Sequence, residues 1–354
     1  MTIDIDQLAG RIVAVDAGAA AEAQRLLDGK TKPRRSLGRL EDLVCQLAAV
    51  RGDVSPLPRP EKAIVVMGAD HGVAAEGVSA YPQEVTGQML LNFARGGAAI
   101  NVLARQAGAR VVVVDMGTAH PPPPRPEIRV QRIGAGTANF TRGPAMTRAQ
   151  ALEALAAGAS LAEALARDGV GLIGIGDMGI ANTTASSALA AVFTGAPPEE
   201  VTGRGTGIDD ETFRHKVDVI RRGLTLNRPD ANDAVDALAK VGGFEIAGLA
   251  GVVLGAAAAR LPVVVDGFIA GVAALAAVRI APRAGGYLIA SHRSVEAGHR
   301  LVLQALGAKP LLDLDLRLGE GTGAALAMML VDAALAIAAE MATFQSAGVS
   351  DAGA

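Results

Sequence analysis

The chain has 354 residues, 50% of them hydrophobic, and a net charge of −3 from 33 basic and 36 acidic side chains. This length allows a large buried core, and the charge gives no bulk attraction to nucleic acid or to an anionic membrane. Cys45 is the only cysteine, the N-terminus lacks a signal-peptide pattern, and Asp266 and Asp332 interrupt the longest apolar tracts. We therefore expect a cytoplasmic protein with no membrane span, whose partners bind in local sites.

The first 60 residues are predicted to be helical. One helical pattern covers about 5–27 and a second covers about 36–50, with Ser36 as the N-cap of the second. The basic loop KTKPRR at 30–35 is interpreted as a solvated connection between them. A proline-rich linker at 54–60 then leads to the first buried strand, at 63–67.

A long polar loop, ADHGVAAEGVSAYPQEVTGQ, follows this strand. It carries side chains of the kind that orient a ligand above a sheet edge, namely Asp70, His71, Ser79, Tyr81 and Gln88. Asp70 and His71 are adjacent, and no second His or Cys lies at ligand spacing, so the pair does not predict a metal site. We expect that the protein needs no metal.

The middle of the chain alternates between helical and strand patterns. One helix is predicted at 84–94 and another that ends at 107, followed by a second buried strand at 110–115. An extended polyproline-like spacer at 120–126 comes next, and then a long helix that Thr147 caps and that ends at 167. A further strand at 170–175 runs into the turn and helix GDMGIANTTASSAL. Glycines followed by a helix N-terminus form an anion site, because main-chain N–H groups lie open to the ligand there. An ordinary Asn/Thr cap after a glycine-rich turn fits this segment equally well.

Two later glycine segments carry charged side chains. Gly203, Gly205 and Gly207 precede a helix with an acidic first turn, and Lys216 lies about two turns into that helix. The stem of Lys216 is long enough to reach a phosphate at the glycine loop, although a surface lysine is the simpler interpretation. In RLGEGTG, Glu320 lies among glycines that leave space for a flat ligand, and a partly dry pocket tunes such a carboxylate for proton transfer. A Glu that only caps the last helix is the alternative.

Further strands are predicted at 262–265, 287–290 and 311–314. About six strand–helix alternations indicate an α/β fold, with a doubly wound, mostly parallel sheet and helices on both faces. Ligands of such sheets bind beyond the carboxyl ends of the strands. We predict a large α/β domain at 60–320 and a smaller helical domain made of 1–59 together with 321–354.

Several blocks of the sequence resemble nicotinate-nucleotide:dimethylbenzimidazole phosphoribosyltransferases, the family that forms α-ribazole 5′-phosphate for the lower ligand of cobalamin. In chain order the blocks are TKPRRSLGRLE, ADHGVAAEGVSAYPQEVTGQM, RGGAAINVLAR, RIGAGTANFTRGPAM, GDMGIANTTASSAL, GRGTG, VVVDGFIA, SHRSVEAGH and RLGEGTGAALAM. The resemblance covers nearly the whole chain. It implies an enzyme without a cofactor that uses nicotinate mononucleotide and 5,6-dimethylbenzimidazole, and it favours a homodimer.

The resemblance also implies roles for individual residues. Glu320 corresponds to the general base. The base pocket would be formed by Ser79, Tyr81, Gln88, Met178 and Leu318. The phosphate and ribose would be held by Gly176, Asp177, Gly179, Asn182, Thr183, Gly203, Lys216, Asp266 and Ser291.

Two positions depart from the family pattern. Asp177 stands where some relatives have Glu, so a helper carboxylate there would be one methylene shorter. Arg35 replaces a glycine that is often seen in the KPxGSLGRLE block, so the conformation of the basic loop is open.

Two other functions stay open at this point. Gly174, Gly176 and Gly179 satisfy GxGxxG after a strand, and Glu199 or Glu200 follows about 20 residues later, a pattern that fits an NAD(P)-dependent oxidoreductase. The acid follows two prolines rather than a clear second strand, however, which argues against that function. A non-catalytic carrier of a nucleotide or a benzimidazole is the second alternative.

Overall fold

A computed structural model describes residues 3–55, 59–205 and 207–350, and residues 56–58 of the proline-rich linker lie outside them. The strands are β1 Glu61–Ala69, β2 Ala109–Gly117, β3 Ile128–Val130, β4 Val170–Met178, β5 Val263–Val265 and β6 Leu288–Ala290. The helices are α1 Ile5–Arg11, α2 Ala17–Asp28, α3 Arg39–Arg51, α4 Glu84–Arg95, α5 Ala99–Ala107, α6 Arg148–Arg167, α7 Asn182–Thr194, α8 Pro198–Val201, α9 Asp210–Asn227, α10 Ala234–Val241, α11 Phe244–Ala258, α12 Phe268–Ile280, α13 Ala297–Ala305, α14 Thr322–Glu340 and α15 Phe344–Ala347.

In the described part of the chain, the strands form one six-stranded sheet in the order β3-β2-β1-β4-β5-β6. Every adjacent pair is parallel. The chain builds outward from β1 in one direction and from β4 in the other, so the strand order reverses between these two central strands. The predicted doubly wound α/β fold is confirmed, and a crevice is expected where the order reverses.

Helices cover both faces of the sheet. Alternate residues of a strand point to opposite faces, and β1 follows this rule: Val65 belongs to one buried apolar cluster and Ile64 to another. The first cluster joins the sheet to α6, α11 and α12, and the second joins it to α3, α5 and α14. Burial on both faces explains why these strands are continuous Val/Ile runs rather than alternating patterns.

Several predicted helix ends are confirmed. Thr147 caps α6 by accepting the main-chain N–H of Gln150 at 3.1 Å. Asp209 caps α9, and the first turn of that helix is acidic, as the helix dipole favours. Helix α7 begins at Asn182 as expected, but its N-cap is Ala181 with φ 72°, which has no side chain able to cap. The ordinary Asn/Thr cap is therefore wrong.

The N-terminal predictions need correction. The pattern at 5–27 is two helices rather than one, because Asp16 accepts the N–H of Ala19 and starts α2 separately. Ser36 does not cap α3, which begins after Gly38. The basic loop is only partly solvated, since Lys32 is buried and pairs with Glu41 at 2.9 Å.

Arg35 adopts φ 60°, a left-handed backbone that favours glycine. A non-glycine residue in this conformation costs about 1 kcal/mol, and the glycine that the family pattern leads us to expect would not bear this cost. The guanidinium lies 2.9 Å from Asp42, which anchors the loop to α3.

Two strand predictions also change. Residues 311–314 do not form a strand, because their only ladder contact among the described residues is an isolated bridge between Leu312 and His292. The sixth strand is instead β3, which follows the proline spacer and pairs with β2. Three residues after a run of prolines carry too short a pattern to be recognised as a strand.

The chain ends pack together in part. Helices α2, α3 and α14 are in contact, and Lys30 forms an isolated bridge with Thr343. Helix α1, however, contacts α6 and α11, and α14 also packs on β4 and β5. A separate helical domain of 1–59 with 321–354 therefore stays a prediction. Helix α14 is also the one described helix long and apolar enough to cross a membrane, but half of its most apolar window is buried inside the protein.

Candidate active site

A cleft of about 560 Å³ opens at the carboxyl ends of the strands, where the strand order reverses. Its volume lies within the range of about 300–1,000 Å³ that is usual for small-molecule sites. Segments after β1, β4, β5 and β6 and the segment before α14 all contribute to it. The lining residues are Val78, Ser79, Tyr81, Val85, Met89, Asp177, Met178, Gly179, Ile180, Ala181, Asn182, Thr183, Gly205, Gly267, Phe268, Ile269, His292, Ser294, Glu296, Arg317, Leu318, Gly319 and Glu320.

Glu320 lines this cleft from the turn that precedes α14. Its backbone has φ 64°, its side chain does not cap α14, and 6% of the residue is exposed. Its Oε2 accepts no hydrogen bond from any described residue. Burial raises the pKa of Glu320, and the N–H of Ile100 opposes this rise. Glu320 is thus a buried acceptor with a free oxygen and a raised pKa, the combination that suits a base.

Asp266 holds the turn that carries Glu320. Its Oδ2 accepts the N–H of Gly321 at 2.9 Å, and its Oδ1 accepts those of Gly323 at 2.7 Å and Ala324 at 3.2 Å. Burial raises the pKa of Asp266 to about 7, although these three donors favour the carboxylate. Both of its oxygens are engaged and it does not line the cleft, so the expectation that it holds the ribose is not supported.

Asp177 lies beside Glu320 at the end of β4. Its Oδ2 accepts a hydrogen bond from Asn182 Nδ2 at 2.8 Å, and its main-chain oxygen accepts the N–H of Glu320 at 3.3 Å. Burial raises the pKa of Asp177 to about 8, and the nearby carboxylates of Asp266, Glu245 and Glu320 add to the rise. Burial and these neighbouring carboxylates therefore favour the protonated form of Asp177.

The part of the cleft at the N-terminus of α7 suits an anion. Ala181, Asn182 and Thr183 line it at the N-terminus of α7, where the helix dipole favours negative charge. Lys216 reaches this end from α9, and its Nζ donates to Thr183 Oγ1 at 2.8 Å. Burial lowers the pKa of Lys216 to about 8, against the opposing charge of Glu296. The simpler interpretation of Lys216 as a surface lysine is wrong.

The loop that contains Gly203 and Gly205 closes this end. Glu296 Oε1 accepts the N–H of Gly205 at 3.1 Å. A Cβ on Gly203 would lie 1.7 Å from Glu296 Oε2, so a larger residue there would displace the Glu296 carboxylate. Gly203 packs against Glu296 and does not line the cleft, whereas Gly205, which was not predicted, does.

The predicted base pocket is partly assembled. Ser79, Tyr81, Met178 and Leu318 all line the cleft, and Tyr81 and Leu318 are exposed at its rim. Gln88 is exposed on α4 and lies outside the lining. Val85 and Met89, one helical turn apart, are the α4 residues that face the cleft. The roles of these residues in holding a base stay predictions.

Asp70 and His71 are buried beside the cleft rather than in it. Asp70 accepts hydrogen bonds from Thr86 Oγ1 at 2.6 Å and from the N–H of Ala119 at 2.8 Å. His71 Nε2 lies 2.7 Å from Glu245 Oε1. These contacts make Asp70 and His71 internal supports of the loop rather than groups that orient a ligand.

The glycines of the GxGxxG pattern serve packing. A Cβ on Gly176 would lie 2.1 Å from the nitrogen of Gly321, and one on Gly174 would lie 3.0 Å from Met328 Cε. Both glycines face α14 and the turn before it, so Gly176 holds no phosphate here. Glu199 lies on α8 and pairs with Arg221 at the surface, far from the end of a second strand. The dinucleotide interpretation is therefore not supported.

The lining residues that were not predicted as part of the site include Gly205, His292, Glu296 and Arg317. Arg317 Nη1 donates to the main-chain oxygen of Gly205 at 3.4 Å, which links the Glu320 segment to the glycine loop. His292 and Glu296 follow β6 directly. Their position after a strand end was the available signal, because residues there face the ligand in this fold.

Comparisons with known proteins agree with this architecture. A family model described as phosphoribosyltransferase matches residues 12–349. The nicotinate-nucleotide–dimethylbenzimidazole phosphoribosyltransferase of Chloroflexus aggregans is 56% identical over 348 residues, covering 98% of each chain. The enzyme of the same name from Desulforamulus reducens is 54% identical over 341 residues, covering 96% of this chain and 97% of the relative. The crystal structure of CobT from Thermus thermophilus superposes with a TM-score of 0.90 at 49% identity, covering 94% of this chain and 99% of that one.

A doubly wound sheet whose cleft combines a helix N-terminus and a buried carboxylate, together with the matching family model, defines the chain as a phosphoribosyltransferase. With relatives at more than half identity over nearly its full length, the chain belongs to the nicotinate-nucleotide–dimethylbenzimidazole phosphoribosyltransferase family. A non-catalytic carrier is not supported.

Proposed function

We propose that this enzyme transfers the 5-phosphoribosyl group of nicotinate mononucleotide to 5,6-dimethylbenzimidazole, giving α-ribazole 5′-phosphate and nicotinate. The names of its relatives support this substrate pair. The observation that carries the proposal is a single cleft lined by Glu320 and by the N-terminus of α7, next to Lys216. A nucleotide needs one end for its phosphate and one for the exchanging bases, and this cleft offers both.

Glu320 acts as the general base. One ring nitrogen of the benzimidazole attacks the anomeric carbon, and the other carries a proton. Attack without loss of that proton would leave a cationic ring, so a carboxylate that accepts the N–H both orients the ring and removes the charge. The free Oε2 of Glu320 is available for this hydrogen bond, and its raised pKa brings it closer to working pH.

The phosphate binds at the N-terminus of α7. Main-chain N–H groups near Thr183 at the start of α7 and the ammonium of Lys216 supply donors and positive charge. Gly179 approaches the end of β1 closely, with a Cβ position 2.5 Å from Ala69 O, and so sets the turn that leads into this helix. An anchored phosphate holds the sugar in place while the two bases exchange.

Attack occurs from the face opposite the departing nicotinate, so the anomeric centre inverts and the product is α-configured. The pyridinium of the substrate leaves as a neutral pyridine and needs no acid. This reaction scheme requires neither a metal nor a cofactor. We further propose that the product serves assembly of the cobalamin nucleotide loop, that the enzyme acts in the cytoplasm, and that it forms a homodimer.

The direct test is to mix the purified protein with nicotinate mononucleotide and 5,6-dimethylbenzimidazole and to analyse the products by NMR. We expect equal amounts of nicotinate and of a ribazole phosphate whose anomeric proton has the α configuration. A β-configured product would refute inversion, and release of nicotinate without a new nucleotide would refute transfer to the base.

A further inference from the structure

We propose that His292 binds the ribose of the nucleotide, with its Nε2 accepting a hydrogen bond from a ribose hydroxyl. The inference rests on the proposed function for the identity of the ligand. It depends on three features of the structure: the place of His292 in the cleft, the tautomer that its neighbours impose, and the engagement of Asp266 and Ser291 by other partners.

His292 lines the cleft beside the start of α14. Its ring packs on the first turn of α14, where a Cβ on Gly323 would lie 2.0 Å from His292 Nδ1. Glu296, four residues later, binds the glycine loop at the anion end through Gly205. The segment 292–296 therefore spans the cleft from the Glu320 turn to the phosphate end. In a nucleotide, the ribose is the part that lies between the base and the phosphate.

The hydrogen bonds of Ser291 fix the tautomer of His292. Ser291 Oγ lies 2.9 Å from the main-chain oxygen of Asp266 and 3.0 Å from His292 Nδ1. A hydroxyl has one hydrogen, and a carbonyl oxygen only accepts, so Ser291 donates to Asp266. The second contact is then an Nδ1–H that donates to Ser291 Oγ. Asp266 Oδ1, 3.8 Å from Nδ1, favours the proton on the same nitrogen.

This tautomer leaves Nε2 as an acceptor. Burial lowers the pKa of His292, which keeps the ring neutral. Within the described residues no donor contacts Nε2, and His292 lines the cleft. A neutral imidazole whose Nδ1–H is occupied presents a lone pair to its ligand, and the matching ligand group is a hydroxyl.

Of the neighbouring acidic groups, Asp266 accepts three main-chain N–H groups and is withdrawn from the cleft. Glu296 is held at the glycine loop, where its Oε1 accepts the N–H of Gly205. Its Oε2 has no hydrogen-bond partner among the described residues and lies 1.7 Å from the position of a Cβ on Gly203. Ser291, which the sequence placed near the ribose, is occupied by Asp266 and His292 and acts by orienting the imidazole.

The test is a cycle of enzyme variants and substrate analogues. Nicotinate mononucleotide and its 2′-deoxy and 3′-deoxy forms are titrated by calorimetry into the parent, His292→Asn and His292→Gln. Asn keeps a donor near Nδ1 and removes the Nε2 acceptor, whereas the Gln carbonyl reaches the Nε2 position. We expect loss of one hydroxyl to weaken binding to the parent about 10- to 100-fold. The same loss should have no effect on His292→Asn, with partial recovery in His292→Gln.

Equal sensitivity of the parent and His292→Asn to both deoxy analogues would overturn the proposal. If the variants fail to fold, the ¹⁵N chemical shifts of the His292 ring in the parent protein test the proposal instead. We expect a protonated Nδ1 and an unprotonated Nε2, and a protonated Nε2 would overturn the proposal. Because calorimetry measures binding alone, a parent that binds the nucleotide but releases no nicotinate would refute the transfer reaction and leave the His292 cycle valid. A parent that binds none of the nucleotides would overturn both.

Discussion

Gly176 in β4 packs directly against the main chain of Gly321, so that a Cβ on Gly176 would lie 2.1 Å from the Gly321 nitrogen. The strand end and the turn that carries Glu320 thus touch without any side chain between them. We expect Gly176→Ala to push this turn away, to lower the free energy of unfolding by about 3 kcal/mol and to reduce kcat strongly. Denaturant unfolding and nicotinate release measure the two effects.

Gly10→Ala is the matched control, since Gly10 lies in α1 with nothing within 4 Å of its Cβ position. It should leave activity unchanged and stabilise the helix by up to about 1 kcal/mol. Parental activity and stability in Gly176→Ala would show that the turn adapts and that the close approach is not required.

Asp266 is expected to act by fixing the start of α14. Asp266→Asn keeps the size of the side chain but replaces one acceptor oxygen with an N–H₂ group, which faces a main-chain N–H. Losing charged hydrogen bonds to Gly321 or Gly323 should cost about 2 kcal/mol and displace Glu320, so both the melting temperature and kcat fall. The exposed Asp313→Asn serves as control. A variant that melts and turns over like the parent would contradict this role.

Asp177 should make stability depend on pH. Its pKa rises from 3.8 to about 8 in the folded protein, so the folded state holds a proton that the unfolded state releases. The stabilisation that protonated Asp177 provides is fully present below the pKa of the unfolded state. It is lost as the pH rises through the pKa of the folded state. Relative to Asp177→Asn, the parent should lose up to about 1.4 kcal/mol per pH unit between about pH 4 and 8. Denaturant melts across this range measure the difference, and a difference independent of pH would count against a buried neutral Asp177.

Replacing Lys216 should weaken nucleotide binding without lowering the stability of the fold. Lys216→Met removes the ammonium at the phosphate end, and we expect the Kd for nicotinate mononucleotide to rise about 10- to 100-fold. Stability should hold or increase, because the cost of burying a charge disappears with the amine. Calorimetric titration and thermal melting test both, with the exposed Lys309→Met as control. Unchanged nucleotide affinity would remove Lys216 from the phosphate site.

Local patterns predicted most of the fold. The Thr147 cap, the strand at 170–175 and the helix at Asn182 follow from residues near one another in the chain. The order of the strands in the sheet was not predicted. Strand β3 was missed because three residues carry almost no periodicity.

The candidate site was harder to predict, because its glycines and charges act through partners far away in sequence. Gly176 looks like a phosphate-loop glycine, and only the fold shows that Gly321 lies against it. Lys216 looks like a surface residue until Thr183 is placed beside it. Glu320 was predicted from the family resemblance and from its glycine neighbours. The role of His292 could be inferred only from the structure, because its tautomer depends on the hydrogen bond with Ser291.

The pH dependence of nicotinate release by the parent and by Glu320→Gln tests the central claim most directly, with the exposed Glu340→Gln as control. A base must lose its proton to act, so kcat/KM of the parent should rise with pH through a pKa above the ordinary 4.5 of a glutamate. We predict that Glu320→Gln binds nicotinate mononucleotide normally, turns over about 10²- to 10⁴-fold more slowly and lacks this acid limb. Turnover of Glu320→Gln at the parental rate, with the same acid limb, would contradict the account.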